Sequence, residues 1–164
     1  MKKNLSHHFD WSIDSLRQAH LHRLHNMDNF PVMQNIEIID KHEKDGKLHI
    51  LRRIDIASEI PDIIKTIAAG KLEDFREELV FDADGHTESF EIFLNPYRHK
   101  FHIKGQSKYH AIAPDKTRRD TWFQVELDML FMGPVKSVIA RNYSEGMQRE
   151  YEDMVKLLAS GVPG

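Results

Sequence analysis

The chain has 164 residues, 40% of them hydrophobic and 30% charged, a formal charge of −3 and no cysteine. This is the size and composition of one globular domain, expected to span 1–164. It excludes disulfides, thiolate catalysis and cysteine-based zinc sites, and offers no general attraction to nucleic acid. No apolar run approaches the ~18 residues that cross a bilayer. The basic start is followed by Ser6-His7-His8-Phe9-Asp10, which is no apolar leader, so a cytoplasmic protein without stable membrane insertion is expected.

Leu5, His7, Phe9 and Trp11 alternate with Ser6, His8 and Asp10, the pattern of a first strand. Ser12 then caps a short helix containing Ile13, Leu16 and Leu24, which Asn26–Pro31 ends. A second strand over Asn35–His42 turns at Asp45-Gly46, a strong hairpin signal, into a third over Leu48–Ile56. Pro61 opens a second short helix, Asp62–Ala69, stopped by Gly70. Strands are expected at Leu72–Phe81, at Thr87–Leu94 after Asp84-Gly85, and at Tyr97–Ala113 after Asn95-Pro96.

The last third carries the clearest change of period. In Trp122–Met132, Phe123, Val125, Leu127, Met129 and Phe131 share one parity and Gln124, Glu126 and Asp128 the other. From Pro134 to Ala159 the apolar residues Val135, Val138, Ile139, Tyr143, Met147, Tyr151, Met154, Val155 and Leu158 recur every third or fourth position. A helix of about 26 residues is about 39 Å long and can cover a whole sheet face. The fold class is therefore α+β: a curved, mainly antiparallel seven-stranded sheet gripping a long C-terminal helix, with short helices after strands 1 and 3.

Polar residues that share parity with the apolar face are the candidates for chemistry. On the third strand Arg52 intrudes among Leu48, Ile50, Ile54 and Ile56, and Glu77, between Phe75 and Leu79, could partner it. A guanidinium does not shed its charge, so Arg52 either pairs with Glu77 or orients the polar head of an apolar ligand. His7 and Asp40 carry the inward parity too, but near strand ends, where solvent is the expected destination. Tyr97, His99, Phe101, Ile103 and Tyr109 form the inward set of the sixth strand. His99 is thus the one candidate acid–base residue, with a packed core histidine as the plainer alternative.

Arg98, Lys100, His102 and Lys104 would share the outer face, more simply a solvated surface than a nucleic-acid patch. His22 and His25 are spaced i, i+3 on one helical face but have no evident third ligand, and no dinucleotide, P-loop or esterase fingerprint is present. No metal or cofactor is expected. Gly146, inside the last helix, either leaves room for close approach or for a ligand, or sits on a wet face.

The element order resembles the helix-grip fold of the START/Bet v 1-like superfamily. Within it, Asp45-Gly46-Lys47-Leu48, Arg52-Arg53 and Ile60-Pro61-Asp62-Ile63-Ile64 look like the hairpin and Pro-initiated helix of PRELI-type lipid-transfer domains and of certain bacterial relatives. Arg23-Leu24-His25-Asn26-Met27-Asp28-Asn29-Phe30-Pro31 stands where PRELI-type domains carry an Arg-Tyr-Pro-Asn-Pro segment, so phospholipid shuttling is an analogy only. The resemblance implies a hydrophobic or amphipathic small molecule, lipids included, held between sheet and helix. Phe101, Phe123, Val125, Leu127, Tyr143, Met147 and Tyr151 would line the site together with Arg52, Glu77, Tyr97, His99 and Tyr109. The alternatives are a cyclase, aromatase or dehydratase using His99 and a tyrosine, and an interaction module with an apolar groove.

Overall fold

Strand alternation and hairpin chemistry set the architecture. The structure, a computed structural model, describes residues 1–25, 36–54, 75–95, 98–128 and 133–161. Its strands are β1 (Lys2–Phe9), β2 (Glu37–Lys44), β3 (Lys47–Ile54), β4 (Phe75–Asp82), β5 (Thr87–Leu94), β6 (Phe101–Ala113) and β7 (Lys116–Leu127); its helices are α1 (Ile13–His25) and α2 (Gly133–Ser160). The strands form one antiparallel sheet in the order β1-β7-β6-β5-β4-β3-β2, which does not close, since β1 and β2 are its two edges. The expected helix Asp62–Ala69, Tyr97 and the stretch 129–132 lie outside the described residues.

Local signals account for most boundaries. Ser12 caps α1, its Oγ accepting from the Ser15 N–H at 3.1 Å. Asp45 and Gly46 both take positive φ, 54° and 75°, as a two-residue hairpin turn between strands of native twist requires. In the β4–β5 turn the left-handed residue is His86 (φ 50°), while the Gly85 N–H donates to Asp82 Oδ1 at 2.9 Å. Gly161, with φ 83°, terminates α2.

The sixth strand differs from the sequence reading. β6 begins at Phe101 rather than Tyr97, so 98–100 form a turn and His99 is exposed. β7 follows directly on the Pro114-Asp115-Lys116 turn, and its first half shows no apolar alternation because Lys116, Arg118 and Asp120 face outward while the inward residues Thr117, Arg119 and Thr121 are themselves polar. All three are nonetheless buried.

The sheet's inner face and α2 enclose the core. Ile139 and Ala140 of α2 pack with Ile50, Phe75, Leu79, Phe90, Ile103, Phe123 and Val125, while Met154 and Leu158 join Phe9, Leu16 and Ala19 in a second cluster toward α1. β2 is exposed along its whole length and its register slips between Ile38 and Asp40. A bulged, charged edge resists pairing with another chain.

Two glycines behave oppositely. A Cβ on Gly105 would stand 2.5 Å from Phe90 Cζ and 2.9 Å from Phe123 Cβ, and closer still to the Trp122 carbonyl, whereas one on Gly146 would meet only Arg149 Nη2 at 3.6 Å. Gly146 therefore makes no close approach to the sheet. Gly105→Ala is expected to lower unfolding free energy by about 1–3 kcal/mol through overpacking. Gly146→Ala should raise it by up to about 1 kcal/mol through helix propensity. Urea titration of both variants checks the pair of signs.

Candidate functional site

Strand register sorts the inner face into rows that run across the sheet. Arg52, Glu77, Ile92, Ile103 and Val125 form one row; Ile50, Leu79, Phe90, Gly105 and Phe123 form the next; Leu48, Phe81, Glu88, Ser107, Thr121 and Leu5 the third. His7, Arg119 and Tyr109 make a fourth row beyond these. Charge thus enters the inner face at two levels, with an uncharged aromatic level between them.

At the first level Arg52 and Glu77 are buried and directly opposed, Arg52 Nε donating to Glu77 Oε2 at 2.5 Å and Nη2 to the same oxygen. Next to it, Tyr143 of α2 lays its ring on Phe123 (centroids 4.8 Å apart, edge-on) and Phe90 (5.8 Å). The missing side chain at Gly105 leaves the space that the Phe90 ring and the Phe123 Cβ occupy beside it.

At the second level a single carboxylate joins both helices to the sheet. Glu150 of α2 accepts from Arg23 Nη1 of α1 on Oε1 (2.9 Å) and from Arg119 Nη1 of β7 on Oε2 (2.7 Å). Arg119 Nη2 also donates to His7 Nδ1 on β1 at 3.2 Å, so the His7 proton sits on Nε2. His7 stacks on Tyr151, whose hydroxyl donates to the His8 carbonyl at 2.8 Å. His20 of α1 bonds Glu88 of β5 through Nε2, and its ring lies against Phe81 and Tyr109. His20 Nδ1, Arg23 Nε and Arg119 Nε are buried without a hydrogen-bond partner among the described residues.

Burial and partners set the ionisation of the buried carboxylates and of His7. Burial pushes the Glu150 carboxyl up, but Arg119, Arg23 and His20 together overcome it and hold it at about 2, against a usual 4.5. Burial likewise opposes ionisation of Glu88, and His20 pulls that carboxyl below its usual range. Burial, then Arg119, lowers His7 from 6.5, consistent with a neutral acceptor ring. The Tyr109 phenol is raised by burial and by Glu88 and Glu150, and the Tyr143 phenol by burial and by Glu77 and Glu88. Both remain protonated at neutral pH.

Of the residues singled out from sequence, Arg52, Glu77, Phe101, Phe123, Val125 and Leu127 are buried on the inner face, and Tyr143 and Met147 are partly exposed along α2. Tyr109 and Tyr151 belong instead to the second cluster beside the Glu150 network. Two placements are corrected. His99 is in an exposed turn, not between Tyr97 and Phe101 on a strand, and His7 is buried rather than turned to solvent. Asp40 is exposed, pairing with His42 at 2.8 Å.

His20, Arg23, Glu88, Arg119 and Glu150 escaped the sequence reading, although the signal that found Arg52 also marks them. Glu88 has the parity of Phe90 and Ile92, Arg119 that of Phe123, and Glu150 follows Tyr143 and Met147 on the helical period. Outside, Arg98 is not part of an open basic strip: it forks Glu78 (3.0 Å) and Glu91 (2.5 Å) over the Phe93 ring.

Glu150→Gln leaves two buried guanidiniums without their counter-charge and should cost about 3–5 kcal/mol in urea unfolding. The wild type has a matching acid signature. Glu150 and Glu88 have depressed folded pKa values, so their stabilisation is complete above about 4.5 and is lost as pH falls below it, for Glu150 toward about 2; depressed His7 starts the loss below 6.5. The thermal midpoint should therefore decline from about pH 6 downward, steepest between 4.5 and 2. Glu150→Gln should flatten the steep part.

No family model and no curated protein matches the sequence. Solved structures do. The chain superposes on the aromatase/cyclase Zhui from Streptomyces sp. R1128 with a TM-score of 0.67 at 11% identity, covering 100% of this chain and 98% of that one. Norcoclaurine synthase from Thalictrum flavum, in complex with dopamine and hydroxybenzaldehyde, gives 0.65 at 14% identity, covering 100% and 90%. Ara h 8.0201 gives 0.67 at 10% identity, covering 98% and 99%. With its open seven-stranded antiparallel sheet and long terminal helix, this chain has the helix-grip fold of these structures.

Proposed function

We propose that this protein binds and carries a hydrophobic or amphipathic small molecule, lipids included, between the inner face of the sheet and α2, without transforming it. The observation that carries the reading is the aromatic level of the inner face. Phe90, Phe123 and Tyr143 meet there, flanked by Ile103, Val125 and Ile92, and the partly exposed Met147 lies one turn along α2 from Tyr143. Such a surface gains roughly 25 cal/mol for each Å² of apolar ligand area it shields from water.

Arg52 and Glu77 neutralise one another, so in this reading they fix the rim of the site and do not capture a charged head. The enzymatic alternative loses support because His99 is exposed and the second nitrogen of His20 is sealed in the interior. Solved relatives of this fold include a cyclase and a synthase as well, and at 11% and 14% identity they bear on the fold alone. No helix among the described residues is long and apolar enough to cross a membrane, which suits a carrier acting from the aqueous phase of the cytoplasm.

Native mass spectrometry of the purified protein should reveal a bound apolar mass that dissociates on collisional activation. Met147→Trp, placing bulk beside Tyr143, should remove that mass with little change in thermal midpoint. Its mass should also stay constant over hours of incubation with wild-type protein. A ligand converted to product by the wild type, or one retained in full by Met147→Trp, would count against carriage at this site.

A further inference from the structure

The charged groups of the inner face leave one polar group available on α2. Arg52 is held by Glu77; Arg23 and Arg119 share Glu150; Glu88 is held by His20. Between these levels the Tyr143 hydroxyl donates to none of the described residues, although its ring is fixed by Phe123 and Phe90. We infer that Tyr143 is the specificity-determining residue of the site, its neutral hydroxyl donating to an uncharged acceptor on the ligand, a ketone, ester or amide carbonyl, rather than to a carboxylate or phosphate. This rests on the binding reading above.

Three observations give the inference its direction. Burial first, then the carboxylates of Glu77 and Glu88, raise the Tyr143 phenol, with Arg52 acting the other way, so a ligand anion brought beside the ring held by Phe123 and Phe90 meets desolvation and carboxylate repulsion. A ligand cation would lose its hydration without finding an unpaired carboxylate, because each one is already bonded. A phenol that stays protonated is a donor at every physiological pH, and a carbonyl oxygen is the acceptor that satisfies it without bringing charge into an apolar setting. A neutral ester lipid meets this description; a free fatty acid or a phospholipid does not.

Four probes of one shape separate the possibilities: 2-acetonaphthone, 2-ethylnaphthalene, 2-naphthoate and 2-naphthylmethylamine, titrated at pH 7.5 into the full-length protein after removal of any co-purifying ligand. The ketone should bind about 3- to 10-fold more tightly than the hydrocarbon, the scale of one net hydrogen bond, and both charged probes more weakly than the ketone. Tyr143→Phe keeps the ring on Phe123 and Phe90 and should abolish the ketone's advantage over the hydrocarbon. A carboxylate or amine that outcompetes the ketone, or a ketone preference that survives in Tyr143→Phe, overturns the inference and leaves apolar binding standing. Saturable binding by none of the four overturns the binding reading itself, and this inference with it.

Discussion

One carboxylate holds the fold's long-range geometry. Glu150 lies in the second half of α2, more than a hundred residues from Arg23 on α1 and about thirty from Arg119 on β7, and it bonds both with separate oxygens. Helix propensity sets neither the position nor the rotation of α2 on the sheet, and apolar packing tolerates sliding by a fraction of a turn. Two charge-assisted bonds of fixed direction do not. The same Arg119 continues to His7 on the sheet's edge strand, so the closure passes from α1 through α2 to β1.

Burying this much charge costs desolvation that a well-packed apolar substitute would avoid, and the three unpartnered nitrogens of His20, Arg23 and Arg119 add to that cost. The location of the cluster indicates what it does for the fold. It occupies the end of the inner face where Tyr109, Ser107, Thr117 and Thr121 already replace apolar side chains, Ser107 bonding Thr121 at 2.7 Å and Thr117 bonding the Trp11 carbonyl at 2.9 Å. Polar closure at this end leaves the aromatic and aliphatic rows as the part of the inner face where an apolar molecule can be desolvated without stranding a polar group.

Much of this was legible in the sequence because period and turn chemistry are local. The α2 stripe, the Asp45-Gly46 hairpin, the Ser12 cap and the β5 limits all follow from a few neighbouring residues. The opposition of Arg52 and Glu77 followed from parity alone, since a polar residue between apolar neighbours of the same parity has one place to go. The network around Glu150 was not read. Arg119 has Thr117 and Thr121 as its neighbours of the same parity, so the apolar alternation of β7, which begins at Phe123, stops short of it, and His20 and Arg23 lie on a helix whose polar residues read as solvated. Only the crossing of α1, α2 and β7 in space makes them one cluster.

His99 failed for a related reason. Parity carries a residue inward only where a strand exists, and the alternation of Tyr97, His99 and Phe101 continues the β6 pattern into residues 98–100, which form a turn. β5 ends at Leu94 and Phe93 pairs with His102, so residues 98–100 belong to the connection between β5 and β6, where Arg98 reaches back to Glu78 and Glu91. The consequence reaches the chemistry of the proposed site: with His99 outside and the carboxylates paired, the Tyr143 hydroxyl is the uncharged polar group beside the aromatic row, and such a group would select a ligand by hydrogen bonding rather than by moving protons at neutral pH.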